Sequence, residues 1–96
     1  MRVMARITVP VEAGNAAIQK GSIGPVLQAT ADRWKPEAMY FAEFDGKRGA
    51  YVVFDMTDAS DLPAFAEPFF QELNAEVSVV PAMDVEDMQK GLSALA

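Results

Sequence analysis

Apolar and polar residues alternate in the first segment of the chain, where every second position from Val3 to Val9 is apolar. This period of two predicts a β-strand with one buried face, which Pro10 ends. Residues 39–44 and 50–56 are rich in aromatic and β-branched side chains, and Asp45-Gly46 between them is typical of a tight hairpin. We expect a fourth strand over residues 76–82.

Apolar residues recur at helical spacing in the segments between these strands. A short helical piece begins near Asn15 as its capping residue, and a longer helix capped by Ser22 ends before Pro36. Asp58 is expected to cap a helix that Pro68 bends, since proline removes one backbone hydrogen bond. Asp84 caps a final helix with a narrow apolar stripe, whose members are Val85, Met88, Leu92 and Leu95.

The resulting order is strand, helix, strand, strand, helix, strand, helix. With right-handed crossovers, this order predicts an α+β, ferredoxin-like split βαββαβ fold. Its four-stranded antiparallel sheet has both main helices on one face, and the C-terminal helix is an addition. The 96 residues form one domain, 1–96, because separate cores arise only in chains of well above ~200 residues.

Composition excludes several classes of chemistry. With no histidine and no cysteine, the chain has no imidazole base, no thiolate nucleophile and no usual ligand for zinc, haem or an iron–sulfur cluster. We therefore expect no metal and no cofactor, and a chain without disulfides fits a cytoplasmic location. The net charge of −6 argues against nucleic acid as a partner, and no apolar run is long enough for a membrane span.

One face of the predicted sheet remains uncovered by helices, and alternation indicates which residues lie there. The sets expected to face the helices are Val3/Ala5/Ile7/Val9, Tyr40/Ala42/Phe44, Ala50/Val52/Phe54/Met56 and Val77/Val79. The sets expected on the uncovered face are Arg2/Met4/Arg6/Thr8, Met39/Phe41/Glu43, Tyr51/Val53/Asp55 and Glu76/Ser78/Val80. This face is too apolar for a solvated surface and too charged for a dry core. A homodimer that stacks two such faces and buries on the order of 1,600 Å² satisfies both constraints.

This arrangement resembles the dimeric α/β-barrel superfamily, which includes muconolactone isomerases and cofactor-independent antibiotic-biosynthesis monooxygenases. The likeness covers nearly the whole chain and is greatest to short bacterial proteins without an assigned function. The stretches that carry it are residues 10–15, Lys35-Pro36-Glu37-Ala38, Tyr40-Phe41, Gly46 with Arg48, residues 66–70 and Pro81-Ala82-Met83. Residues 50–55 resemble the third strand of muconolactone isomerases. Asn15 and Trp34 are loose matches to an Asn and a Trp of several oxygenases.

The candidate ligand-binding residues are Arg6, Glu43, Tyr51 and Asp55. Arg6 can hold a substrate carboxylate through two parallel hydrogen bonds, a desolvated Glu43 can move a proton, and Tyr51 can stabilise an enolate oxygen. The alternative is a buried ion-pair network that sets the register of the dimer.

Two functions follow from these alternatives. The first is a homodimeric barrel that binds a small organic ligand, such as a carboxylate, and is compatible with cofactor-free isomerase or monooxygenase-like chemistry. The second is a non-catalytic dimerisation or assembly module with no ligand. Whether the protein is an enzyme is left open at this point.

Overall fold

In the computed structural model, which describes residues 1–95, four antiparallel strands form one sheet in the order β2-β3-β1-β4. The strands are β1 (Arg2–Val9), β2 (Ala38–Phe41), β3 (Arg48–Asp55) and β4 (Glu76–Pro81). The helices are α1 (Val11–Lys20), α2 (Ile23–Trp34), α3 (Leu62–Leu73) and α4 (Val85–Ser93). This is the predicted α+β ferredoxin-like fold, with β1 and β3 at the centre of the sheet.

The core lies between the sheet and one layer of helices. Alternation identified its strand residues correctly in β1 and β3, where Val3, Ile7, Val52 and Phe54 are all at most 1% exposed. From α3, Phe65 reaches the same core and stacks on Phe54 with ring centroids 4.5 Å apart. Buried aromatic pairs of this kind add to the stabilisation that burial of their area provides.

Trp34 closes the core at the end of α2. Its ring is tilted against Phe54 at 5.4 Å and meets the edge of Phe65 at 5.9 Å, measured between centroids. Lys35 follows in the left-handed conformation and ends the helix before Pro36, as predicted. Trp34 therefore packs against the core. Its loose match to a tryptophan of several oxygenases falls on a residue with a structural role in this chain.

The alternation predicted for β2 was shifted by one residue, so it assigned the side chains of this strand to the wrong faces of the sheet. Met39 pairs with the buried Val52 and packs against the core, whereas Tyr40 pairs with Tyr51 on the uncovered side of the sheet. Phe41 likewise pairs with Ala50 and lies on the helix side. A shift of one position moves every side chain of a strand to the other face. The strand is also shorter than predicted, because it ends at Phe41.

Two helix starts also differ from expectation. Helix α1 begins directly after Pro10, so Asn15 lies within it rather than capping it. Asp58 caps a short 3-10 helix, Ala59–Asp61, and α3 begins only at Leu62. The Asp58 carboxylate accepts hydrogen bonds from the Ser60 side chain and backbone, which lower the pKa of Asp58. Pro68 lies inside α3, as predicted.

Candidate functional site

The uncovered side of the sheet, which we call the open face, carries several rows of side chains that the strand register defines, and two of them form its centre. One row is apolar and runs across all four strands; its members are Ala38, Val53, Met4 and Val80. The neighbouring row is aromatic and polar; its members are Tyr40, Tyr51, Arg6 and Ser78. Because opposed side chains on one face have Cβ atoms about 5 Å apart, neighbours within each row are within contact distance.

Arg6 lies in the middle of the second row, and its guanidinium carbon stacks 4.0 Å above the centroid of the Phe44 ring. Phe44 thus lies on the open face, although alternation had placed it under the helices. Within residues 1–95, no carboxylate lies within ion-pair distance of Arg6. The five N–H donors of this guanidinium are therefore available to a planar anion, while one flat side is held by an aromatic ring.

Tyr51 lies directly beside Arg6, because the two residues are cross-strand partners in β1 and β3. Of the four candidate residues, these are the two that the register brings together. Tyr40 extends the row on the other side of Tyr51 and is 71% exposed, so its ring adds a broad amphipathic surface beside the guanidinium.

Glu43 does not join this pair. It lies beyond the end of β2, in the connection to β3, and its Oε2 accepts a hydrogen bond of 2.7 Å from the backbone N–H of Gly46. The carboxylate thus stabilises the hairpin turn, in which Asp45 and Gly46 both have positive φ angles. The predicted role of Glu43 as a desolvated proton carrier next to Arg6 requires a position that this turn does not provide.

Asp55 lies at the far end of β3, four positions from Tyr51, which is about 14 Å along an extended strand. Its carboxylate binds the ammonium group of Met1 at 2.8 Å, and the same ammonium donates to the Met56 carbonyl. Asp55 therefore fastens the start of β1 to the end of β3. The four candidates do not converge on one centre: Arg6 and Tyr51 form a pair, and Glu43 and Asp55 have local structural partners.

A second cationic side chain, Arg48, has a structural role that was not predicted from the sequence. Its Nη2 donates to Oδ1 of Asn15 at 3.0 Å, and its Nη1 reaches the Val11 carbonyl at 3.4 Å. The guanidinium lies directly over Gly14, where a Cβ atom would collide with Nη1. A glycine in the middle of a helix was the signal for this contact, because it disfavours helix unless something approaches its backbone closely.

The helix side of the sheet contains a small apolar cavity of about 50 Å³ near Arg48. Residues from α2, β2 and α3 line it, among them Leu27, Phe41 and Phe69. Drug-sized ligands occupy cavities of about 300 Å³ or more, so this cavity, which is partly open toward Phe41 and Arg48, is too small for such a ligand.

Arg2, at the start of β1, belongs to the open face by alternation and forms ion pairs with three carboxylates. Its Nε donates to Glu37 at 2.6 Å, and its Nη1 lies 3.1 Å from Asp87 and 3.5 Å from Asp84. The hydrogen bond and the charge of Glu37 raise the pKa of Arg2. This network, which we call the Arg2 cluster, ties the beginning of α4 to the sheet.

Asp84 caps α4 reciprocally with Asp87. The Asp84 carboxylate accepts from the Asp87 N–H at 2.8 Å, and an Asp87 oxygen accepts from the Asp84 N–H at 3.2 Å. The hydrogen bond from the Asp87 N–H, helped by the nearby charge of Arg2, lowers the pKa of Asp84. The sequence had identified this cap correctly.

Other features of the described chain bear on ligands. Across residues 1–95, no group of three acidic side chains is arranged to hold a metal ion. None of the helices in that stretch is both long enough and apolar enough to cross a membrane.

Comparison with known proteins agrees with the fold and leaves the chemistry open. One family model, described as a domain of unknown function (DUF3303), matches residues 26–96. A de novo designed protein, Ferredog-Diesel, superposes with a TM-score of 0.51 at 14% identity, over 84% of this chain and 85% of the design. A proposed antibiotic biosynthesis monooxygenase from Deinococcus radiodurans has a TM-score of 0.47 at 12% identity, over 88% of this chain and 95% of that one. No curated protein matches the sequence.

Proposed function

The chain belongs to the DUF3303 family, and for this member we propose a homodimer that holds a small organic carboxylate against Arg6, between two stacked open faces. The observation that carries this proposal is the position of Arg6. Its guanidinium is supported by Phe44 and lies among aromatic side chains, and within residues 1–95 no carboxylate neutralises it.

Dimerisation would convert this surface into a binding site. Met4, Tyr40 and Val80 are each at least 39% exposed on the open face, and apolar side chains in such a group gain free energy when a second copy covers them. Covering the face also removes water from around Arg6. A guanidinium in that position needs an anion, because an unpaired charge is costly to desolvate.

A carboxylate fits this position. The guanidinium offers two parallel N–H donors to a carboxylate, and the tyrosines beside it supply apolar ring surface together with hydroxyl groups. We expect ligands with one carboxylate and a planar or short apolar body, such as small hydroxy acids, keto acids and aromatic acids.

Catalysis would depend on Tyr51. Cofactor-free isomerisation or oxygenation needs a group that moves a proton near the bound ligand. Glu43 and Asp55 are held elsewhere, so Tyr51 is the titratable side chain that the register places next to Arg6. Binding is therefore the primary proposal, and turnover is restricted to ligands whose reacting atom lies within reach of the Tyr51 hydroxyl.

The second candidate is an assembly module in which the open face serves dimerisation alone. The observation in its favour is that two of the four candidate side chains, Glu43 and Asp55, are already engaged in local structural contacts. In this case Arg6 would pair across the dimer with an acidic side chain of the other copy.

The first experiment determines the assembly. Sedimentation at high micromolar concentration is expected to give a species of twice 10.4 kDa, and a species of 10.4 kDa would refute the dimer in either candidate function.

The second experiment determines whether the face binds a ligand. Thermal unfolding is followed with benzoate, lactate, pyruvate and related monocarboxylates at millimolar concentration. We expect at least one to raise the melting temperature of the wild type and to have no effect on Arg6→Gln. Arg33→Gln is the matched control, because Arg33 is exposed and lies over Trp34, away from the open face. If no carboxylate stabilises the wild type, the assembly module is the better description.

A further inference from the structure

Thr8 carries a free hydroxyl on an otherwise enclosed side chain. Among residues 1–95, the buried polar side chains are Thr8, which is 5% exposed, and Thr30, which is 6% exposed. The Thr30 hydroxyl donates to the Val26 carbonyl at 2.9 Å, whereas no group in that range is hydrogen-bonded to the Thr8 hydroxyl. In the same range, no fully enclosed side-chain polar atom lacks a partner, so this hydroxyl reaches the protein surface.

The surface that it reaches is a cleft of about 360 Å³, a volume within the range of small-molecule sites. The residues that line this cleft, which we call the Thr8 cleft, are Thr8, Pro10, Lys47, Asn74, Ala75 and Glu76. Within residues 1–95, neither Lys47 nor Glu76 has an oppositely charged group at ion-pair distance. Both charges and the Thr8 hydroxyl are therefore available to a ligand.

The Thr8 cleft adjoins the proposed carboxylate site. Thr8 follows Arg6 on the same face of β1, and alternate residues of a strand are about 7 Å apart. Thr8 pairs with Gly49 and with Glu76, so these three residues form the next row of the open face. The Phe44 Cβ lies 3.6 Å from the place that a Cβ atom at Gly49 would occupy. The Phe44 ring and the Arg6 guanidinium that stacks on it therefore lie toward Thr8.

Lys47 brings a second cation to this end of the open face. It pairs with Phe44 in an antiparallel bridge, and opposed residues of such a pair project to the same side. Lys47 thus shares a side with the Phe44 ring and with Arg6. Together with the anionic Glu76, the two cations leave one net positive charge, which matches a ligand with a single carboxylate and a neutral polar group beyond it.

From these observations we propose that the ligand held by Arg6 is a hydroxy acid whose hydroxyl group lies in the Thr8 cleft and hydrogen-bonds to Thr8. This inference rests on the proposed carboxylate site and narrows its ligand class. A hydroxyl can accept from Lys47 and donate to Glu76, so it satisfies both without adding a charge. The spacing of about 7 Å between Arg6 and Thr8 corresponds to a carboxylate and a hydroxyl separated by about three methylene groups.

A matched pair of ligands tests this assignment. Pentanoate and 4-hydroxybutyrate have the same length and the same carboxylate, and differ in a terminal methyl or hydroxyl group. Their dissociation constants are measured by titration calorimetry on the full chain. We expect the wild type to bind 4-hydroxybutyrate about tenfold more tightly than pentanoate, which is the scale of one enclosed hydrogen bond.

Thr8→Val removes the hydroxyl and keeps the branched shape of the side chain. It is expected to reduce the tenfold preference to less than about twofold and to leave the affinity for pentanoate unchanged. Thr57→Val is the matched control, because Thr57 is exposed and lies beyond the other end of β3. This control should keep the full preference, and Arg6→Gln should abolish binding of both acids.

A second measurement tests the charge balance at an exposed position, where folding is not at risk. The wild type is expected to bind succinate no more tightly than pentanoate, because the second carboxylate of succinate meets Glu76. Glu76→Gln should bind succinate about tenfold more tightly than the wild type does, since Lys47 then faces this carboxylate without a competing charge. Glu72→Gln, an exposed change on α3, should leave succinate binding as it is.

The outcomes separate the claims. A preference for 4-hydroxybutyrate that Thr8→Val removes and Thr57→Val keeps, together with the gain of succinate binding in Glu76→Gln, supports the inference. If the wild type binds both acids equally, if the preference survives in Thr8→Val, or if Glu76→Gln gains no affinity for succinate, the inference is overturned, while loss of binding in Arg6→Gln still supports the carboxylate site. A wild type that binds neither acid overturns both.

Discussion

Gly49 shows how a single residue sets the geometry of the hairpin that carries Glu43 and Phe44. A Cβ atom at this position would lie 2.5 Å from the carbonyl oxygen of Ala42 and 3.6 Å from that of Ile7. The first distance is far below van der Waals contact, and backbone atoms cannot move away as a flexible side chain can. The close approach of these strands therefore depends on the absence of a side chain at Gly49.

We accordingly expect Gly49→Ala to lower the free energy of unfolding by about 1–3 kcal/mol, measured by urea denaturation. The matched control is Gly24→Ala in α2, where a Cβ meets nothing within 4 Å and the change should be stabilising by up to about 1 kcal/mol. If Gly49→Ala changes the free energy of unfolding in the same direction and by the same amount as Gly24→Ala, the contact with Ala42 does not determine the stability at this position.

The sequence placed two of the four candidate side chains next to each other correctly and the other two incorrectly. Arg6 and Tyr51 lie in long strands whose opposite positions are uniformly apolar, so alternation assigned their side correctly. The partners of Glu43 and Asp55 are a backbone N–H and the ammonium of Met1, and no pattern of residue types reveals such partners. Their separation from Arg6 could be seen only once the turn and the register were known.

Among the elements, β2 shows why a short strand is difficult to orient from sequence. Both possible alternations through residues 39–44 present aromatic or aliphatic side chains, and the first charged residue, Glu43, lies after the strand has ended. Pairing with β3 then determines the face, because Met39 sits opposite the buried Val52. The consequence for function is that the open face carries Tyr40 in place of Met39, beside Tyr51.

Helix α1 illustrates a different limit. Gly14 and Asn15 both disfavour a helix interior, so the sequence predicted only a short piece starting at Asn15. In the structure, Arg48 packs over Gly14 and bonds to Asn15, and this tertiary contact outweighs the local preference.

The cap of α4 leads to a pH dependence. The pKa of Asp84 is lowered in the folded chain, so its carboxylate stabilises the helix above its unfolded pKa of about 4, and that contribution is lost as the pH falls through the lower folded value. We expect the NMR shifts of the α4 amides to move toward coil values as the pH falls below about 4, and to change little between pH 8 and pH 5.

The matched variant is Asp84→Asn, which keeps an oxygen acceptor for the Asp87 N–H but cannot titrate. Its α4 signals should depend less on pH over the same range. A wild-type helix whose amide shifts respond to acid no more than those of Asp84→Asn would contradict this role of Asp84.

Considered as a whole, the molecule is a compact body with one projecting helix. Its radius of gyration is 15.1 Å, whereas a compact chain of this length would have about 12.5 Å. The order and pairing of the strands were predictable because right-handed connections leave few arrangements for this series of elements. The projection of α4 was not predictable, since an apolar stripe by itself does not tell whether it packs within the chain or outside it.

X-ray scattering in dilute solution tests this shape. We expect a radius of gyration near 15 Å for the full chain and near 12 Å for a chain that ends at residue 83. If the two values agree, α4 folds against its own protomer.

The two outer strands of the sheet have a consequence for how copies of this chain can associate. β2 has only 4 residues, and β4, on the other side, ends at Pro81, which has no N–H to offer a neighbouring strand. Lateral addition of further sheets would extend without limit and lead toward fibrils, and short or proline-terminated borders discourage it. Stacking of two open faces, by contrast, would be complete after one partner, so these outer strands disfavour an open-ended polymer and are compatible with the proposed homodimer.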